Sequence, residues 1–312
     1  MKTLSIKEPY ASLIKNKVKH YETRSYDTKY RGEIFIHASL GKKAACDELW
    51  KMVGKVLPGY IICKANLVDS ICMDDEFINE VKKNPWEYKS GYYKPGRYAW
   101  KLESVEVIKP IKAKGNLGLW NYYSLEEVFS FMSDIKYGYM NNAGNVCYSF
   151  DTFDDDYVLQ SYKDMLKTKT GVCFDQVELE RHYLYNRDIT SYFICYYGEF
   201  LQSHTFLVVK ENNKYIWFEH AWEKYEGIRK YNSLDELLND VKNKFMNEYN
   251  ILDKDKILLK SYSKPKSGIN LSEYFKWVEN KWYIFCLFFF YILLYNLGVG
   301  EENEWTIFFN FT

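Results

Sequence analysis

Three residues of this 312-residue chain have the types and spacing of a nucleophilic centre. They are Cys173 in Thr170-Gly171-Val172-Cys173-Phe174-Asp175, His204 in Ser203-His204-Thr205-Phe206, and Glu219 in Trp217-Phe218-Glu219-His220. A thiol attacks a carbonyl carbon once its proton is removed, and an imidazole beside it takes that proton or pairs with the thiolate. A carboxylate on the far side of the ring holds the imidazole in the useful tautomer. Backbone N–H groups around the cysteine supply a site for the oxyanion. Taken singly, a buried structural thiol and a satisfied strand histidine are the ordinary alternatives. The three together favour chemistry at Cys173, with His204 as its base and Glu219 as the orienting acid.

The elements that must position them follow from the local pattern. Thr170 is an expected N-cap, and Val177, Arg181 and Leu184 fall on one face of a helix over 177–185. Cys173 then lies at the helix start, where the dipole and free N–H groups favour a thiolate. Residues 206–210 and 215–218 read as two strands joined at Glu211-Asn212-Asn213-Lys214, a hairpin turn. A turn centred between Asn212 and Asn213 sets Glu219 opposite Phe206 and His204 opposite Ala221. His204 and Glu219 become diagonal neighbours on one face, roughly 7–8 Å apart at the backbone. His220 points to the other face, and a one-residue slip reverses the assignment.

Residues 150–260 resemble a transglutaminase-like, papain-related cysteine domain. The carrying pattern is a cysteine at a helix start, a strand histidine, and an acid 15 positions later on the next strand. The resemblance implies thiol acyl transfer or hydrolysis at a protein or peptide amide. This chain departs from the family's usual aspartate by carrying Glu219.

A second resemblance covers residues 1–120, which are similar to an ASCH domain, a member of the PUA-like barrels. It rests on Leu4-Ser5-Ile6-Lys7-Glu8-Pro9-Tyr10, Lys19-His20-Tyr21-Glu22-Thr23-Arg24 and Lys29-Tyr30-Arg31-Gly32-Glu33. The closing stretch Gly96-Arg97-Tyr98-Ala99-Trp100 and Pro110-Ile111-Lys112-Ala113-Lys114-Gly115 fits the last strands. The family implies a small β-barrel with flanking helices and a cleft for RNA, a nucleotide or a modified base. Lys19, Glu22 and Arg24 enter one strand together, with Lys29 and Arg31 close behind, and the cations suit phosphate or carbonyl groups. Some relatives hydrolyse acetylated cytidine with a lysine and a threonine at the positions of Lys19 and Glu22. Without the threonine, and with Lys17 in place of the family's loop glycine, binding is the expectation. Residues 1–124 hold 22 Lys and Arg against 14 Asp and Glu, and residues 125–312 hold 20 against 28. Overall neutrality therefore hides a basic front, as a nucleic-acid-binding module shows. Tyr10, Tyr26, Tyr30 and Trp100 are either stacking platforms or barrel core.

The expected class is α+β: a PUA-like β-barrel over 1–120, a connection over 121–156, a transglutaminase-like domain over 157–262, and an apolar tail over 263–312. Seven cysteines, an odd number without regular spacing or a secretory signal, point to a reducing, cytoplasmic setting. No Cys-x-x-Cys pair, Cys/His grouping or Gly-rich phosphate loop calls for a metal or a nucleotide cofactor, so none is expected. Asp154-Asp155-Asp156 lacks the rest of a calcium loop and reads as a solvated turn. Trp282–Val299 is 18 residues without a charge, flanked by Lys281 and by Glu301-Glu302. That length allows a tail anchor in a membrane, and a buried cover for the cysteine domain is the alternative. The functional expectation is a thiol acyl-transfer enzyme with an RNA- or nucleotide-binding front. A non-catalytic binding protein and a membrane-tethered interaction protein are the competing classes.

Overall fold

A computed structural model describes residues 1–42 and 45–279. The expected tail segment Trp282–Val299 lies outside them. Among the described residues, no helix is long and apolar enough to cross a membrane. The chain divides into two compact units. Among the described residues, the first comprises Met1–Phe131, Arg181–Ile189 and Val209–Ile216; the second comprises Met132–Glu180, Thr190–Val208 and 217–279. The units are discontinuous where the sequence-based domains are continuous, because two segments from beyond residue 180 group with the first unit.

In chain order the first unit runs β1 (Lys2–Glu8), α1 (Tyr10–Lys15), β2 (Tyr21–Arg24), β3 (Gly32–Lys42), α2 (Asp47–Lys51), β4 (Tyr60–Cys72), α3 (Asp75–Lys82), α4 (Pro85–Lys89), β5 (Tyr98–Lys112) and β6 (Leu119–Asn121). Its six strands form one curled, half-barrel sheet in the order β2-β5-β4-β3-β1-β6. β1 and β3 run parallel, and the other paired strands run antiparallel. Alternation sends Leu4, Ile6, Ile34, Ile36, Ala65, Trp100 and Leu102 into the core, where α1 adds Ala11 and Ile14. Irregular pairing along β3–β4 and β4–β5 marks where the sheet bends. The buried Glu8 carboxylate holds the start of α1 by accepting from the N–H of Ser12 at 3.1 Å and its hydroxyl at 2.8 Å.

The chain continues through α5 (Leu125–Met132), β7 (Tyr139–Met140), β8 (Val146–Cys147), α6 (Phe153–Asp156), α7 (Tyr162–Thr168), α8 (Cys173–Tyr183), β9 (Asp188–Tyr197), β10 (Leu201–Glu211), β11 (Lys214–Glu219), β12 (Gly227–Tyr231), α9 (Leu234–Glu248), β13 (Ile257–Tyr262) and α10 (Leu271–Val278). β9 to β13 make a sheet in the order β12-β11-β10-β9-β13. Asn212 and Asn213 both have positive φ, 51° and 60°, the type I′ geometry of a two-residue hairpin turn. The strands extend further than the 206–210 and 215–218 expected, so His204 and Glu219 both lie inside them. Asp154–Asp156, expected as a solvated turn, forms most of the single helical turn α6, in which no residue is buried.

α8 departs most from its expected form. It begins at Cys173, and Thr170 does not cap it: the Thr170 hydroxyl donates to the Thr168 carbonyl at 3.2 Å. Residues 173–180 are buried on every side, polar ones included, so the helix has no solvent face to give a 3.6-residue rhythm. The core around its start consists of Tyr139, Tyr157, Val172, Phe174, Phe193 and Tyr274, with Cys173 among them at 3 % exposure.

Candidate functional site

Two places concentrate polar chemistry, one in each unit. In the second unit the structure brings Cys173, His204 and Glu219 together. His204 Nε2 donates to Glu219 Oε2 at 2.8 Å, and both side chains are buried. The same carboxylate accepts from Trp217 Nε1 at 3.1 Å and from the Trp222 N–H at 2.8 Å. Three donors therefore fix the acid, and Nε2 is the committed nitrogen of the ring. The hydrogen bond between His204 and Cys173 then falls to Nδ1. Burial by itself would lower the pKa of His204; the Glu219 charge and the bond to Cys173 outweigh it and raise the value to about 10. The Trp222 ring closes over the imidazole at 5.1 Å between centroids.

The segment just before Cys173 is held at each residue by a buried side chain, a feature with no counterpart in the sequence reading. Gln160 Nε2 donates to the Thr170 carbonyl at 2.8 Å, and Gln176 Nε2 donates to the Gly171 carbonyl at 2.9 Å. The Val172 N–H donates to Asp175 Oδ2 at 3.1 Å. Asp175 Oδ1 also accepts from the Gln160 N–H at 2.8 Å and the Tyr157 hydroxyl at 3.2 Å. Complete burial raises the Asp175 pKa to about 7 against these three donors. Gly171 has to be glycine: a Cβ there would lie 2.6 Å from Met165 Cε and 2.9 Å from Asp175 Cβ. His220, expected to point away, instead reaches α8: its Nδ1 lies 2.8 Å from Gln176 Oε1. The strand ends at Glu219, so alternation no longer governs the next residue. Among the described residues, no group of His, Cys, Asp and Glu is arranged to hold a metal ion.

The first unit contains a cleft of about 1350 Å³. Lys19, Glu22 and Arg24 all line it, but their cations are already bonded. Lys19, 1 % exposed, donates to the carbonyls of Tyr21 at 2.5 Å and Ser90 at 2.9 Å, and lies 3.6 Å from Glu22. Arg24 pairs with Glu22 at 3.2 Å and donates to the Ser5 carbonyl at 3.2 Å. Glu87 supports the arrangement by accepting from the N–H groups of His20 and Tyr21, at 2.6 and 3.2 Å, where β2 begins. A buried ammonium needs such partners, so Lys19 and Arg24 line the cleft with bonds to their own chain already made.

Lys29 and Arg31 are exposed and do not line the cleft. Arg31 folds back on the carbonyls of Thr28 and Tyr30 and on Asp69 at 3.1 Å. Of the four aromatics singled out as stacking platforms, only Tyr10 lines the cleft; Trp100 is fully buried, with Tyr26 edge-on to it at 5.6 Å. At the floor sits a triad the sequence reading missed. His37 Nε2 donates to the Ala113 carbonyl at 3.1 Å, so its Nδ1 accepts from Ser5 Oγ at 3.2 Å; that hydroxyl in turn accepts from Trp120 Nε1 at 3.0 Å. Burial lowers the His37 pKa, consistent with a neutral ring. A Cβ on Gly115 would lie 2.5 Å from His37 Cε1 and 2.8 Å from Ser5 Oγ. The far wall comes from outside the N-terminal strands, with Arg187 and Glu211 pairing at 2.6 Å and Arg187 lying 4.6 Å over Tyr122.

A curled six-stranded sheet makes the first unit a half-barrel, consistent with a PUA-like barrel. Residues 4–112 match the family model of the ASCH domain. No curated protein matches the chain. The match takes in β1 to β5 and ends before Lys114–Gly118 and the far wall.

Proposed function

We propose that the chain is a cysteine-dependent acyl-transfer or amide-hydrolysing enzyme of transglutaminase-like type, whose ASCH half binds RNA or a nucleotide-like ligand. One observation carries the enzymatic part: a single buried imidazole that bonds Glu219 at 2.8 Å through Nε2 and the Cys173 thiol through its other nitrogen. His204 takes the thiol proton, and Sγ attacks the amide carbonyl carbon to form a C–S bond. N–H groups of the first turn of α8 meet the oxyanion. Collapse breaks the C–N bond, the imidazolium protonates the leaving amine, and water or a second amine releases the thioester. Glu219 keeps the ring oriented and its charge compensated through each proton transfer.

Native alkylation near pH 6, resolved by site, tests this reading, because an ordinary thiol of pKa about 8.5 is almost wholly protonated there. Fast labelling confined to Cys173 and lost in His204→Ala is expected. Slow labelling, no faster than at the exposed Cys46 and Cys72, would reject the enzyme. The ASCH match and the cleft would then favour the second reading, a binding protein in which Cys173 is a core thiol.

A further inference from the structure

The buried cations of the cleft are bonded to their own chain, so the charge it offers a ligand comes from its lip. Four exposed lysines stand there, from three separate stretches: Lys7 on β1, Lys112 at the end of β5 with Lys114 on the loop that follows it, and Lys210 on β10. None of them has a carboxylate within ion-pair distance among the described residues; Lys210 only lies over the Tyr215 ring at 5.4 Å. Between them the lip exposes two leucines that also line the cleft, Leu40 at 80 % and Leu117 at 94 %. Large apolar side chains held this open, beside unpaired cations, are a surface for a flat apolar group attached to an anion. At about 1350 Å³ the space exceeds the roughly 300–1,000 Å³ of a small-molecule pocket. A mononucleotide fills part of it and meets one or two of the four lysines.

We infer that this cleft binds a run of single-stranded RNA, with Lys7, Lys112, Lys114 and Lys210 meeting successive phosphates and Leu40 and Leu117 covering base faces. The inference rests on the reading that the ASCH half binds RNA or a nucleotide-like ligand, and it assigns part of the contact to residues beyond the matched segment. Lys114 and Lys210 belong to that added part, and their exposure means that replacing them leaves the core intact.

Fluorescence anisotropy of the full chain with a labelled octaribonucleotide, alongside calorimetry with the four ribonucleoside monophosphates, tests it. Four single-strand phosphate contacts predict that the affinity for RNA falls about 50-fold between 50 and 200 mM salt, from a slope of about −0.7 per contact. Lys114→Ser with Lys210→Ser should reduce that ratio to about 7-fold by removing two contacts. A monophosphate bound as tightly as the octamer, or a salt ratio unchanged by the double substitution, overturns the inference and leaves a nucleotide site standing. If neither the octamer nor any monophosphate binds, the underlying binding reading fails as well.

Discussion

In the first unit the buried ammonium of Lys19 is bonded to two carbonyls and approached by Glu22, whereas in the second unit the buried imidazole of His204 has one nitrogen bonded to Glu219 and the other at a thiol. Both arrangements solve the same problem, a charged group taken out of water. They differ in what is left for a ligand. Lys19 is surrounded by fixed acceptors of its own chain, so its role is to hold β2 against the segment containing Ser90. His204 bonds the Cys173 thiol, a group that can itself give up a proton. A titratable residue in a cleft is thus not by itself a sign of chemistry, and the partners on its far side decide.

The largest expected effect breaks the first half of this comparison. Lys19→Met should leave the carbonyls of Tyr21 and Ser90 without their donor and Glu22 with Arg24 alone. Removing one partner of a buried charge costs about 3–5 kcal/mol, and chemical denaturation should read a loss of that size. The alkylation rate at Cys173 should be unaffected in the folded fraction. Full stability in the Met variant, with loss of nucleotide affinity, would mean that Lys19 is a ligand group after all.

The second test addresses the other half. Glu219→Gln retains the shape but places an amide NH₂ against either the Trp222 N–H or the His204 and Trp217 donors, which all need an acceptor. The imidazole loses its counter-charge, and Cys173 labelling near pH 6 should slow about 100-fold, the lower end of what a positioned base contributes. His220→Gln breaks the bond to Gln176 and the 3.5 Å pairing with Glu226, leaves the His204–Glu219 bond in place, and should slow labelling far less. The reverse ranking would place the working carboxylate elsewhere.

How much of this was legible in the sequence depends on how local the cause is. His204 and Glu219 are joined by one hairpin whose two asparagines dictate its turn, so their pairing followed from spacing and alternation. The helix at Cys173 was harder, because residues 173–180 are buried all round and show no amphipathic rhythm. Its true start is set by Asp175, Gln160 and Gln176, three side chains whose roles appear only when the loop is folded. The first unit shows the same limit. Its strands and its Lys19-Glu22-Arg24 stretch were visible as motifs, but the acceptor of Lys19 that lies 71 positions away at Ser90 was not. Lys210 and Arg187 reach the cleft by a still longer route, with no pattern in their own neighbourhood.

The smallest effect comes from Asp175, which sits between the two behaviours: a buried charge held by its own chain, yet two residues from the candidate nucleophile. Its folded pKa, about 7, stands above the 3.8 of an unperturbed aspartate because burial outweighs its three donors. The folded state therefore binds its proton more tightly than the unfolded one. The stability it contributes is fully present below about 3.8 and is lost as pH rises through about 7. His204 adds a second window of the same sign, from its unperturbed 6.5 up to about 10. Asp175→Asn removes the lower window and leaves the upper one, so a plot of Tm against pH should flatten between 4 and 7. Above that range the variant pays only for setting one amide donor against the Val172 or Gln160 N–H, about 1–3 kcal/mol. Because Val172 immediately precedes Cys173, the labelling rate should fall by a few-fold rather than by the 100-fold expected for Glu219→Gln. A loss as large as that of Glu219→Gln would make Asp175 a participant in the chemistry, and a pH profile identical to the parent's would show that it folds already ionised.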